Sequence, residues 1–233
     1  MANNEQLGAK KAENTQEKEG FGTRFINFFV KYQKVIFGVI IAILVVIAGI
    51  IAFNKFYLEP KNEKASAAMI TPINYFLTGD SLSLQKALEG DGENEGFLDI
   101  ISAYKLTRTA NTAKFYAGMC YLKMNDKDEA LNYFLKFKKK EDVYWYACQA
   151  LIGDLYDEKG DEDKALSYYK KSVKNDDPLY TPVNLFKLAQ MYERKENWKE
   201  AVAAYQRIEN EYYEEYQKMG IAKFAEDAKS KLN

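Results

Sequence analysis

Apolar and polar positions divide the chain into three regimes. Residues 1–20 are polar and almost free of large apolar groups, too little apolar surface to order themselves, so a disordered tail is expected. In residues 21–34, Phe21, Phe25, Phe28, Phe29 and Tyr32 recur at helical spacings among basic residues. Such a segment either lies at a membrane interface or extends the helix that follows. Residues 35–53, VIFGVIIAILVVIAGIIAF, carry no charge over 19 positions. As a helix at about 1.5 Å per residue they cover roughly 28 Å, one crossing of a bilayer. No small-residue cleavage site follows, so the span reads as an uncleaved anchor. Gly38 and Gly49 are small enough to admit a neighbouring helix, or are simply tolerated within the span. Beyond it the apolar positions take a helical period, with charged breaks between helices.

Orientation follows from the flanks. Lys18, Arg24, Lys31 and Lys34 precede the span and Lys55, Lys61 and Lys64 follow it. This small bias and the short leading tail place the N-terminus in the cytoplasm and the C-terminal domain outside.

Three stretches of that domain repeat. A small residue is followed four positions later by an aromatic at Ala130 and Phe134, at Ala165 and Tyr169, and at Ala201 and Tyr205. The offsets are 35 and 36 residues. Nine positions before each alanine stands Tyr121, Tyr156 or Tyr192, and twelve before stands Gly118, Gly153 or Ala189. The turns MNDKDEA, EKGDEDKA and RKENWKEA enter each second helix through acidic residues, which suit a helix N-terminus. Pro178 and Pro182 punctuate the link into the third unit.

These landmarks resemble the tetratricopeptide repeat, a helix-turn-helix unit of about 34 residues. The resemblance implies an all-α fold: a single transmembrane helix followed by a tetratricopeptide α-solenoid of about three repeats, with N- and C-terminal capping helices. The divisions read as 1–20 tail, 21–34 juxtamembrane segment, 35–53 transmembrane helix, 54–109 linker and N-terminal cap, 110–210 repeats, and 211–233 C-terminal capping helix. In the N-terminal cap a helical stretch over 65–77, a Gly/Asp-rich break over 90–96, and Phe97, Ile101 and Tyr104 are expected to pack on the first repeat. In the C-terminal cap, Ile221, Phe224 and Ala228 share one face.

In such a stack the first helix of each repeat lines the concave face. The motif's inward positions are Phe115, Met119 and Leu122 in the first repeat, and Ala150, Asp154, Asp157 and Glu158 in the second. In the third they are Phe186, Gln190 and Glu193. A groove apolar at one end and acidic at the other is expected. The alternatives are that Phe115, Met119 and Phe186 lie under the caps and that the acidic run is a solvated face. Tetratricopeptide proteins that grip acidic chaperone tails use lysine and asparagine in the groove. The matching positions Phe115, Met119, Ala150 and Asp154 speak against that ligand and for an apolar or basic segment, such as an unfolded chain or a partner's helix.

Composition narrows the chemistry. Histidine is absent, which removes imidazole catalysis and His-bearing zinc sites. Cys120 and Cys148 are expected as buried free thiols or as one disulfide. Gly90 and Gly92 lack the strand, helix and lysine of a phosphate loop. After residue 53 there are 27 Lys and Arg against 30 Asp and Glu, a net charge of −3 that does not favour nucleic acid. No catalytic residue, metal, cofactor or small-molecule substrate is expected.

The layout of short tail, span and exported repeats resembles the YfgM family, ancillary subunits of the bacterial Sec translocon. The stretch DSLSLQKALEGDGENEGFLDIISAYKLTRTANTAKFYAGMCYL is similar to its Bacteroidetes-type members. The resemblance implies the bacterial inner membrane, a periplasmic domain, and as partners the SecYEG channel, a PpiD-type chaperone and exported chains. Asp80-Ser81-Leu82 resembles the O-glycosylation acceptor of exported Bacteroidetes proteins. The alternative is a scaffold subunit of another envelope assembly or secretion complex.

Overall fold

The computed structural model describes residues 21–138 and 143–232, with side chains from residue 30 onward except Val143. The tail 1–20 and the side chains of Phe21, Phe25, Phe28 and Phe29 lie outside the described residues. All regular structure among the described residues is helical. The chain forms two units, one ending at Tyr57 and the other beginning at Leu58.

The first unit is α1, Phe21–Phe53, 33 residues without a break, passing into a π-helical turn at Asn54–Leu58. Its apolar side chains are turned outward, with Val45 at 65% and Ile51 at 59% exposure. The helix is long and apolar enough to cross a membrane.

The second unit begins with α2 (Glu59–Ala68), α3 (Ile70–Thr78), α4 (Ser81–Glu89) and α5 (Phe97–Ala103). Met69 separates α2 from α3 within the single helical stretch expected over 65–77. Asp80 caps α4 by accepting the Ser83 amide at 3.0 Å. The Gly/Asp-rich break is a tight crossover. Gly90 has φ 85°, and a Cβ there would stand 2.5 Å from the Asn94 carbonyl oxygen. Asp91 ties the crossover by accepting the amides of Glu93 (2.9 Å) and Asn94 (2.7 Å) and the Tyr75 hydroxyl (2.9 Å). These donors, the Asn94 amide foremost, hold its carboxyl well below the usual range. Phe97 and Ile100 are fully buried and pack with Leu84, Leu88, Ala113 and Ala117.

The repeats are α6 (Arg108–Lys123) with α7 (Lys127–Lys136), α8 (Val143–Glu158) with α9 (Glu162–Ser172), and α10 (Thr181–Arg194) with α11 (Trp198–Glu211). Their turns share one construction. Asn125, Gly160 and Glu196 have φ of 64°, 76° and 54°. Directly after them, the amides of Asp126, Asp161 and Asn197 donate back to the carbonyls of Tyr121, Tyr156 and Tyr192 at 2.8, 2.9 and 2.9 Å. This closure ends each first helix in a left-handed residue and satisfies its orphan carbonyls. Asp126 and Asp161 then cap the second helices by accepting the amides of Glu129 and Lys164.

The small landmark of each first helix faces the aromatic of the second. An added Cβ would lie 2.6 Å from the Phe134 ring at Gly118 and 2.7 Å from the Tyr169 ring at Gly153. In the third repeat Ala189 and Tyr205 are both fully buried. Cys120 and Cys148 are free and buried. They sit in different parts of the core, Cys120 with the N-terminal cap and Cys148 between the first two repeats, so the disulfide reading falls away.

The C-terminal region holds two helices, α12 (Tyr213–Lys218) and α13 (Ala222–Ser230), parted at Gly220 with φ 62°. Its buried face is Ile221, Ala225 and Ala228. Phe224 stands at the edge of that face, 38% exposed and 5.2 Å from Phe186.

Candidate protein-binding groove

The first helices of the three repeats, α6, α8 and α10, bound a hollow of about 590 Å³. Phe115, Tyr116 and Met119 of α6 form one wall, with Phe76 of α3 beside them. Ala147, Ala150 and Leu151 of α8 form the floor, and Leu179, Val183 and Asn184 close the far side. Aromatic packing fixes the first wall: Phe76 meets Tyr116 edge-on at 5.4 Å, and Phe115 lies 5.2 Å from Tyr144. Burial, with the neighbouring Tyr144 hydroxyl, pushes the Tyr116 phenol up to about 12.

A second hollow of about 430 Å³ adjoins the first and shares Asp154 and Lys187 with it. It is lined also by Asp157, Gln190, Glu193 and Arg194. Two of its three carboxylates are paired with cations. Asp154 accepts Lys187 at 2.7 and 2.8 Å and the Tyr169 hydroxyl at 2.8 Å, and Asp157 pairs with Arg194 at 2.6 Å. Glu193 has one carboxylate oxygen buried without a hydrogen-bond partner, and burial raises its pKa.

The ten residues picked from the sequence divide accordingly. Phe115, Met119, Ala150 and Asp154 meet in the first hollow, and Asp154, Asp157, Gln190 and Glu193 in the second. Three lie elsewhere. Leu122 packs into the core between the first two repeats. Glu158 reaches Lys127 of the first repeat at 2.7 Å. Phe186 turns away onto Tyr205 at 6.1 Å and Phe224 at 5.2 Å. The acidic run on α8 is therefore no open docking face: each carboxylate meets a cation on an adjoining repeat, and the groove's polar end is close to neutral.

Ala147 was legible by helical period, since it stands three residues before Ala150 on the same stripe. Nothing local points to Phe76, which comes from outside the repeats. Among the described residues no group of three metal-ligating side chains converges.

Comparison with known families gives the groove its context. Tetratricopeptide repeats match residues 112–141, 146–177 and 184–212. The chain carries three tetratricopeptide repeats. The matched segments cover most of the six repeat helices, and each begins at or inside the first helix of its pair. No curated protein matches the chain. Tetratricopeptide domains bind protein partners, and the groove lies where such a stack presents its concave face.

Proposed function

We propose that the protein is a membrane-anchored tetratricopeptide adaptor that holds polypeptide segments in the groove between α6, α8 and α10. The observation that carries this reading is the continuous hollow on the first helices of all three repeats, walled by Phe115, Tyr116, Met119 and Val183, in a chain whose N-terminal helix is long and apolar enough to span a bilayer. In this reading α1 crosses the bacterial inner membrane once, the N-terminus is cytoplasmic and the repeats are periplasmic. The resemblance to the YfgM family supports a place beside the SecYEG channel, with emerging exported chains and a PpiD-type chaperone as partners. The protein is not an enzyme in this reading and takes no cofactor, nucleic acid or small-molecule substrate.

Recovery of the tagged full-length protein in mild detergent, beside a form lacking residues 1–53, tests the assignment. SecY and a PpiD-like chaperone are expected with the full-length form. Recovery of a different envelope complex with no translocon subunit overturns the translocon assignment and leaves a scaffold role in that complex.

A further inference from the structure

Resting on the reading that α1 crosses a membrane, we propose that the edge of the repeats opposite their turns docks on the anionic phospholipid headgroups of that same membrane. Three observations converge on this.

The first is charge placed by topology. Each repeat is a helical hairpin, so the start of its first helix and the end of its second share the edge opposite the turn. The Lys138 amide, just past α7, accordingly donates to Asn111 Oδ1 in the first turn of α6 at 3.2 Å. That edge carries Lys105, Arg108, Lys136, Lys138, Lys170 and Lys174, all exposed. The surrounding residues 100–125, 130–138 and 164–175 contain no Asp or Glu. Residues 139–142, outside the described residues, add two lysines and two acids and so no net charge.

The second is the lack of counter-ions. None of the six makes an ion pair among the described residues, whereas Lys127, Lys159 and Lys195 at the turn edge reach Glu158, Asp128 and Asp163. The carboxylates nearest the basic edge are occupied. Asp176 pairs with Arg207 at 2.9 Å, Asp177 accepts the amides of Leu179 and Tyr180, and Glu95 and Lys61 both lie beside Tyr104. Burial, and then the neighbouring Lys138 and Lys136, lower the pKa of Lys114. An anionic surface laid on this edge relieves the repulsion.

The third is the point of entry. Asn62 of α2 accepts both the amide and the hydroxyl of Thr109 at 3.0 Å, and Ser66 meets the same hydroxyl at 2.8 Å. Thr109 is the second residue of α6, so the chain enters the second unit at the basic edge. Asn62 stands nine residues past Phe53, where the uncharged run ends. Such a tether is about 30 Å long at full stretch. An edge held this near a bilayer meets its headgroups continually, and attraction within a Debye length of about 8 Å then selects it. A soluble acidic partner has no such tether to the edge.

The test uses the full-length protein in lipid nanodiscs of phosphatidylcholine alone or with about one-third phosphatidylglycerol. A short pulse of an acetylating reagent followed by mass spectrometry reads each lysine. With phosphatidylglycerol, Lys105, Lys136, Lys138, Lys170 and Lys174 should acetylate roughly fivefold more slowly, the factor that corresponds to the attraction of one cation to an anionic surface. Lys127, Lys159 and Lys195 should keep their rates, and about 0.5 M salt should abolish the protection. Equal rates in the two lipids, or a slowing that spreads evenly over both edges, overturns the proposal. So does protection by an oligo-glutamate peptide or inorganic phosphate in phosphatidylcholine discs with none from phosphatidylglycerol, since the edge then serves an acidic protein or a free anion. A chain that alkaline carbonate strips from vesicles has no anchor, which overturns the membrane reading and this inference together. Missing protection in a chain that resists carbonate overturns this inference alone.

Discussion

The contact between Gly118 and Phe134 makes an unusual forecast for a helix interior. Replacing a helical glycine by alanine ordinarily stabilises by about 1 kcal/mol, since alanine loses less backbone freedom. Here the new Cβ would stand 2.6 Å from two carbons of the Phe134 ring, against an ordinary carbon–carbon separation of about 3.5–4.0 Å. The ring must retreat by roughly 1 Å, yet Phe134 is fully buried and borders Phe115 at a ring distance of 6.0 Å. Overpacking of this kind costs about 1–3 kcal/mol. Set against the helical gain, Gly118→Ala is expected to destabilise the repeats by up to about 2 kcal/mol, a fall of a few degrees in melting temperature for a unit of this size. In a Phe134→Leu background the ring is gone and the sign reverses: the same alanine should stabilise by about 1 kcal/mol. Thermal unfolding of the full-length protein followed by the fluorescence of Trp145 and Trp198, both inside the repeats, reads the four members of the cycle. A Gly118→Ala protein more stable than wild type, or a cycle with no coupling between the two sites, refutes the argument.

Other consequences follow from the site and the core. Glu193 has its carboxyl pKa raised above the ordinary 4.5, chiefly by burial. Below 4.5 it is protonated in folded and unfolded chains alike and carries no penalty, whereas ionisation at higher pH penalises the folded state. Glu193→Gln should therefore melt higher than wild type at pH 7, with the gap closing as the pH falls towards 4.5; a gap that widens on acidification contradicts this. Burial pushes the Cys120 thiol up to about 12 and the Cys148 thiol higher still, so iodoacetamide at pH 8 should label neither until denaturant is added. Rapid labelling of the native protein, detected by mass, would count against the packing. Lys187→Met removes the cation that neutralises Asp154 at the groove, and anisotropy should show a Lys-tailed peptide gaining severalfold in affinity over wild type; unchanged affinity would mean that the pair does not set the groove's charge preference.

Some of this protein could be read along the chain alone. Residues 35–53 are apolar without interruption, and as one helix they are long enough to span a bilayer. The spacing of Gly118, Tyr121, Ala130 and Phe134, recurring at 35 and 36 residues, carried the repeat architecture. Each of these residues meets a partner within one helix-turn-helix unit, so local period suffices to place it. The groove was legible where it rests on that period, at Phe115, Met119, Ala150 and Asp154.

The remainder depends on distances across repeats that no local period encodes. Phe186 occupies an inward register of the motif but rotates onto Tyr205 and Phe224, because the C-terminal helix α13 offers an apolar edge there. Phe76 enters the groove wall from 40 residues before Tyr116, the α6 ring it meets. The carboxylates on α8 looked like an open acidic face, yet Asp154 meets a lysine 33 residues on and Asp157 an arginine 37 residues on. Sequence spacing decided which residues share a helix face. The packing of one helix against the next decided which of those faces stays open and what charge it carries, since burial and ion pairing belong to neighbours brought together only by the fold.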